Sequence, residues 1–268
     1  MSRKLALAAT IALGVLAAAA PAAAQEAPPA APQGRQPATA EQRAAYGRMD
    51  ALTRSVFWAR EVELNPADAE AGVGLSQALR ELGQFSEAVT AAEQVLISHP
   101  ANLEAMLAVG QAHIARGQGF YAIARLEQAR DAAPRDWRPL SLLGVAYEQV
   151  SRHADARDAW NRALTLSPDN PAVLTNVALS MAAGGQAAEA ETLLRRAAAQ
   201  PGATIQVRQN LALVLGLQGK MAEAEQLIRR DLPPELAEQN LNWLRRRTAA
   251  VASTPPAGGR TWESLQGG

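Results

Sequence analysis

Three ladders of small residues run through this sequence with the same step of 34 positions. The first ladder is Ala88, Ala122, Ala156, Ala190 and Ala224. The second, twelve positions earlier, is Ser76, Gly110, Gly144, Ala178 and Ala212. The third is Gly83, Gly117, Ser151, Gly185 and Gly219. Chance does not give three ladders in one register, so the sequence predicts one structural unit repeated five times, with a core shared between neighbours.

The third repeat indicates what this unit is. Leu140 and Tyr147 follow helical spacing in its first half, and Ala156 and Trp160 follow it in the second half. The residue of the third ladder lies between the two halves, where glycine can end a helix in the left-handed conformation. Each unit is therefore predicted to be a hairpin of helix A and helix B. Gly144 and Ala156 are expected to face each other where the two helices cross closely.

The 34-residue pattern resembles the tetratricopeptide repeat family over about residues 65–231. The resemblance implies an all-α fold, a right-handed solenoid of about five hairpins, which acts by holding other proteins. The five repeats are expected at residues 69–102, 103–136, 137–170, 171–204 and 205–233. Because the ends of a solenoid must be covered, capping helices are expected at 38–64 and 234–248. The solenoid would thus occupy residues 38–248.

Two stretches near the end of the array carry a finer resemblance. Residues 207–219 look like the last repeat of TadD-type proteins from the tight-adherence (Flp) pilus system. Residues 231–234, followed by 239–244, resemble the helix after the repeats of those proteins, and residues 260–262 are also similar. The resemblance implies a periplasmic or outer-membrane-associated factor that helps to assemble the pilus secretion channel. Members of that family are often lipoproteins, whereas this sequence contains no cysteine to carry a lipid.

The first 24 residues are typical of a secretory signal. A basic start, an apolar run over residues 5–20 and an Ala-x-Ala exit predict cleavage after Ala24. An uncleaved membrane anchor is the alternative, although a spanning helix needs roughly 20 strongly apolar residues. Cleavage would place the protein in a bacterial periplasm, with any outer-membrane association made through a protein partner. Residues 25–37 and 249–268 predict a disordered tether and a disordered tail, the latter with an exposed Trp262.

The composition argues against several functional classes. The 26 basic and 26 acidic residues cancel, so there is no basic excess for binding nucleic acid. The lack of cysteine excludes disulfides and a direct lipid anchor. His99, His113 and His153 do not have metal-ligand spacing, and His113 is expected to pack in the core. We therefore predict no catalytic residues, no metal site and no cofactor, and we do not expect an enzyme.

The second, fifth, ninth and twelfth residues of each helix A are predicted to face the concave side of the array. There they would form a groove for an extended segment or helix of a partner protein, with amides bonding its backbone and leucines contacting its side chains. The candidate groove residues, with two neighbouring asparagines, are Glu70, Val73, Gln77, Arg80, Glu104, Leu107, Gln111, Ile114, Arg138, Ser141, Val145, Glu148, Thr175, Asn176, Leu179, Gln206, Gln209, Asn210 and Leu213. The alternative is that these positions are simply solvated helix faces.

The sequence leaves two functional hypotheses and one weak rival. The first is a periplasmic adaptor whose groove binds pilus or secretion-channel components. The second is a general periplasmic scaffold for cell-envelope enzymes. The rival is an enzyme, and the sequence offers no recognisable acid–base pair to support it. Neighbouring secretin and pilus ATPase genes would favour the first hypothesis, and neighbouring cell-wall enzymes the second.

Overall fold

The computed structural model describes residues 36–252, which form thirteen α-helices and no strand. The helices are α1 Ala40–Tyr46, α2 Ala51–Leu64, α3 Ala69–Glu81, α4 Phe85–Ser98, α5 Leu103–Ala115, α6 Gly119–Ala132, α7 Trp137–Gln149, α8 His153–Leu166, α9 Pro171–Ala183, α10 Ala187–Ala198, α11 Ile205–Leu217, α12 Met221–Asp231 and α13 Pro234–Ala252. The predicted signal, the tether up to residue 35, and the tail from residue 253 with Trp262 lie outside the described residues.

The chain divides into two compact units. The described part of the N-terminal unit is residues 36–176, and that of the C-terminal unit is residues 177–252. In the N-terminal unit each helix from α2 to α7 packs on the next one, and α3, α5 and α7 also contact one another in turn. In the C-terminal unit α11 packs on α10, α12 and α13. The prediction of an all-α fold built from stacked hairpins is confirmed, with α3, α5, α7, α9 and α11 as the A helices.

The ends of the A helices follow the third ladder. Its four glycines have φ angles between +77° and +87°, at Gly83, Gly117, Gly185 and Gly219. Ser151, the one member of the ladder with a side chain, has φ +62°. All five therefore take the left-handed conformation that reverses the chain between helix A and helix B. Glycine is preferred because an L side chain raises the energy of that conformation.

The segment predicted as one N-terminal capping helix forms two helices, α1 and α2. The break follows from a cap, since the Asp50 side chain accepts the N–H of Thr53 at 3.0 Å and starts α2 there. The buried carboxylate of Glu61 holds the loop before α1. Its two oxygens accept a bifurcated hydrogen bond from the Ala38 N–H, at 3.0 and 3.1 Å, and Oε2 also accepts a bond from Arg43 at 2.8 Å. A buried acid is tolerated here because it is fully bonded.

The tight crossings of the helices depend on the second ladder, but the partners differ from the prediction. A Cβ atom added to Gly144 would overlap the indole ring of Trp160, not Ala156. A Cβ atom added to Gly110 would overlap the side chain of Leu126 in the same way. In both repeats a small residue on helix A therefore receives a large side chain from helix B, sixteen residues later. The alanine of the first ladder lies beside this contact and is fully buried.

The C-terminal helix is longer than predicted. The side chains that it buries are Ala237, Leu241 and Leu244, whereas Trp243 is 49% exposed. Leu244 fills the space left by the missing side chain of Gly216 on α11. The helix continues to Ala252, beyond the expected end at residue 248.

A buried carboxylate ties two segments of the C-terminal unit together. Glu191 on α10 is 8% exposed and binds Lys220 at 2.5 Å, Gln218 at 2.8 Å and Arg195 at 2.8 Å. We call these four residues the Glu191 cluster. The hydrogen bond from Lys220, followed by those from Arg195 and Gln218, lowers the pKa of Glu191 from 4.5 to about 2. The cluster fixes the turn between α11 and α12 against α10.

We expect Gly144→Ala to lower the free energy of unfolding by about 1–3 kcal/mol, because the new methyl group must displace Trp160. Gly184→Ala is the matched control, since its methyl group would meet only ordinary contacts at 3.4 Å or more. Urea denaturation followed by circular dichroism measures both. Equal losses would contradict the close crossing at Gly144.

We expect Glu191→Gln to lower the free energy of unfolding by about 1–3 kcal/mol at pH 7. The lowered pKa means that the ionised carboxylate stabilises the fold above pH 4.5 and that this contribution is lost as the pH falls towards about 2. The gap between the variant and the parent should therefore shrink across that range in urea denaturation. Glu189→Gln, an exposed site on the same helix, should follow the parent at every pH. A difference in unfolding free energy between Glu191→Gln and the parent that does not change with pH would contradict this prediction.

Candidate functional site

The candidate site in the N-terminal unit is the face of α3, α5, α7 and the start of α9 that carries the predicted contact positions, which we call the helix A surface. Helices α3, α5 and α7 contact one another in turn, so equivalent positions of successive repeats lie beside each other. Counting from the first residue of each helix, the predicted contact positions are the second, fifth, ninth and twelfth. The structure gives these four rows four different environments.

The fifth row is buried, which corrects part of the sequence prediction. Its members are Val73 (9% exposed), Leu107 (3%), Ser141 (4%) and Thr175 (7%). This row faces the seam where neighbouring A helices contact, as the bond from Asn176 Nδ2 to Ser141 Oγ at 3.2 Å illustrates. The Thr175 hydroxyl donates to the carbonyl of Pro171 at 2.7 Å. These four side chains therefore stabilise the stack and are not accessible to a partner.

The second row consists of charges that pair between repeats. Glu70 binds Arg43 at 2.7 Å, and Glu104 binds Arg138 at 2.8 Å. Arg138 also binds Asp136, the cap of its own helix, at 2.6 Å. The hydrogen bonds that Arg138 donates to Asp136 and Glu104 raise its pKa above the usual range. The charges of this row are thus neutralised within the protein, and the Glu104–Arg138 pair links two successive repeats.

The ninth row is accessible and carries free amides. Gln77 is exposed and Gln111 is half-buried, and neither side chain makes a hydrogen bond within the described residues. Val145 continues the row on α7 and is also half-buried. Two unsatisfied amides beside an apolar side chain can bind a polypeptide, since an amide both donates to and accepts from a peptide backbone.

The twelfth row, Arg80, Ile114 and Glu148, is half-buried and chemically mixed. Arg80 has no ion pair within the described residues. The backbone carbonyl of Ile114 accepts the side-chain amide of Gln149 at 2.9 Å. Glu148 uses Oε1 for His153 at 3.0 Å, while its Oε2 is buried without a partner in the described structure. This row could add charge selectivity at one edge of the helix A surface.

The C-terminal unit holds the remaining predicted residues. Gln206 is exposed and Gln209 is half-buried, and the amide of Gln206 reaches Asn210 Oδ1 at 3.5 Å. Leu213 and Leu179 are half-buried, and Leu213 packs against the core of this unit. The accessible chemistry on α11 is therefore amide-rich, as on α3 and α5.

The sequence interpretation missed one exposed aromatic pair. Phe120 and Tyr121 at the start of α6 are 71% and 62% exposed. Tyr121 stacks on His113 with ring centroids 5.8 Å apart, and His113 is half-buried with an unpartnered Nδ1. The sequence did contain a signal for this pair, because two aromatic residues are adjacent in a chain with only 4% aromatics.

Residues 36–252 offer little other chemistry. There is no group of three or more histidine and acidic side chains that could hold a metal ion. Over the same residues, no helix combines the length and the apolar character needed to cross a membrane. A small polar cleft between α6, α7 and α8 is lined by Arg130, Tyr147, Asp158 and Arg162. Its arginines are paired with Asp131 and Asp158, at 2.8 and 3.7 Å.

Comparison with known proteins identifies the repeat. The sequence model of the tetratricopeptide repeat family matches residues 73–119, 111–171 and 142–204. The structure is similar to a thermophilic tetratricopeptide repeat protein of Thermus thermophilus (TM-score 0.58, 22% identity, 65% of this chain and 94% of that one). It is also similar to a tetratricopeptide repeat protein of Parabacteroides merdae (TM-score 0.64, 12% identity, 79% and 87%). At these identities the similarity establishes the fold alone. No curated protein sequence gives a significant match.

Leu107→Ala and Gln111→Ala test the division of the helix A surface into buried and accessible rows. They lie one turn apart on α5, so each is a control for the other. Leu107→Ala should lower the free energy of unfolding by about 2–5 kcal/mol, because it leaves a cavity in the seam. Gln111→Ala should change it by less than about 0.5 kcal/mol. Thermal or urea denaturation measures both changes. Similar losses of unfolding free energy in the two variants would contradict the assignment of the rows.

Proposed function

Because this chain is a tetratricopeptide repeat protein, we propose that it is a non-catalytic adaptor that binds segments of partner proteins on its helix A surface. Tetratricopeptide repeat folds generally act as scaffolds for protein–protein interaction. Stacked repeats present the same position at regular steps, which suits an elongated ligand. The accessible side chains of the helix A surface would therefore select the ligand.

The observation that carries the proposal is the pair of unbonded amides at Gln77 and Gln111. Most exposed charges nearby already have partners within the protein, whereas these two amides do not. An extended polypeptide rises about 3.3 Å per residue, and packed helices lie about 8–10 Å apart. Amides one repeat apart would thus hydrogen-bond to backbone groups of the ligand that are about three residues apart. The neighbouring Val145 would contact an apolar side chain of the ligand.

We further propose that the protein works in the periplasm, in the assembly of a tight-adherence pilus secretion apparatus. The signal pattern in residues 1–24 supports export. The resemblance of residues 207–219, and of residues 231–234 followed by 239–244, to TadD-type proteins supports the pilus role. The two stretches contact each other: Arg208 binds Asp231 at 2.6 Å, and Leu244 packs on Gly216. They therefore form one structural feature, which fits a resemblance that spans both.

Deletion of the gene should abolish surface pili while pilin synthesis continues, because assembly and not expression would fail. Electron microscopy scores the pili and immunoblotting of whole cells scores pilin. Fractionation of the same cells should recover the protein from the periplasm. Normal piliation would exclude the pilus role and leave a general periplasmic scaffold as the alternative. A cytoplasmic protein would exclude both.

The double variant Gln77→Ala/Gln111→Ala tests the helix A surface itself. It should reduce in vivo crosslinking to secretion-channel components about tenfold, the loss expected for two hydrogen bonds. Gln94→Ala/Gln128→Ala is the matched control, since these exposed glutamines occupy one equivalent position of helix B in the same two repeats. Equal crosslinking by both double variants would show that the partner binds elsewhere.

A further inference from the structure

The last half of α13 carries positive charge that the fold does not explain. Between Gln239 and Ala252 there is no acidic residue, whereas Arg245, Arg246 and Arg247 are consecutive. A helix that ended at residue 248, as the sequence predicts, would hold these arginines in its last turn, where they would offset the helix dipole. The helix instead continues to Ala252, five residues beyond Arg247. Because side chains on a helix tilt towards its N-terminus, the arginines lie away from the terminal carbonyls.

Two of these arginines also lack partners. Arg245 approaches Glu225 at 3.4 Å, but Arg246 and Arg247 are exposed and form no hydrogen bond or ion pair within the described residues. Every other arginine of the described C-terminal unit has a partner, namely Arg195, Arg196, Arg208, Arg229 and Arg230. The unit thus pairs its arginines as a rule, and this site is the exception.

An exposed tryptophan lies on the same side of the helix. Arg246 and Arg247 follow Trp243 by three and four residues, the spacing of side chains that share a helical face. The opposite face holds the buried residues of α13, so the core does not require the indole ring of Trp243, which is 49% exposed. We call Trp243, Arg246 and Arg247 the Trp243 face. Tryptophan and arginine are the residues most enriched where binding energy concentrates in protein interfaces.

We propose that the Trp243 face binds an acidic segment of a partner protein. The paired carboxylates of aspartate or glutamate would accept forked hydrogen bonds from the two guanidinium groups. The chain of that segment would cover the indole ring. This surface is separate from the helix A surface of the N-terminal unit, so it would act whether or not that surface binds a partner.

Two other occupants fit the structure less well. A membrane-surface helix inserts a broad apolar face, but Ala237, Leu241 and Leu244 are buried in the core of the C-terminal unit, which leaves Trp243 as the one exposed large hydrophobic side chain of residues 234–247. Nucleic acid binding needs many phosphate contacts, and this face offers two unpaired cations in a chain of zero net charge. Charge complementarity therefore favours a carboxylate-rich polypeptide.

Fluorescence anisotropy with a labelled hexaglutamate peptide tests the proposal on the full-length protein. The parent should bind hexaglutamate but not hexaglutamine, and raising the salt from about 20 mM to about 300 mM should weaken binding because the contact is exposed and ionic. Arg246→Ala/Arg247→Ala should raise the dissociation constant about tenfold. Trp243→Ala should also weaken binding while the melting temperature stays unchanged.

Arg116→Ala/Arg157→Ala is the matched control, because these arginines are exposed, lie in the N-terminal unit and have no partner within the described residues. It removes the same charge and should bind hexaglutamate as the parent does. The proposal fails if the two double variants bind equally, or if the parent binds hexaglutamine as well as hexaglutamate. It also fails if the parent does not bind hexaglutamate and the Trp243 face instead binds phosphatidylglycerol vesicles. Self-association through the Trp243 face in sedimentation, without hexaglutamate binding, would overturn it as well.

Discussion

The close approach of helix A and helix B is the constraint on which the stack depends. At Gly144 and Gly110 the first helix has no side chain, and Trp160 and Leu126 of the second helix occupy the space. Large residues can therefore be fully buried in a protein that has few aromatics and no cysteine. Tight packing of this kind confines each helix pair to one geometry, and the positions available to a ligand follow from that geometry.

The sequence predicted the hairpins well because their signals are local. A residue such as Gly117 ends its helix through its own backbone conformation, and a period of 34 places every later helix. The burial of Leu107 and Ser141 was not predicted, because it arises from contact with the next repeat. Helical spacing shows which side of a helix a residue is on, but not how closely a neighbouring helix approaches. The partner of Gly144 was missed for the same reason.

The end of α13 shows a different limit. The sequence after Arg247 is Thr-Ala-Ala-Val-Ala, with no glycine before Gly258 and no proline before Pro255. No stop signal therefore accompanies the arginines, and the helix continues past them. The charged side chains of residues 36–252 fall into two classes. Most pair within the fold, as in the second row of the helix A surface and the Glu191 cluster, and those that do not, such as Arg246 and Arg247, are available to other molecules.

The Glu191 cluster also determines how this protein can be labelled. Lys220 is the only lysine outside the first four residues, and its amine is held by Glu191. Reagents that acylate amines would thus modify one site in the described chain, and acylation would remove the charge that binds the buried carboxylate. Amine coupling to a sensor surface that uses Lys220 would attach the protein through the turn between α11 and α12 and loosen it. Attachment through an introduced cysteine avoids this, since the chain has none of its own.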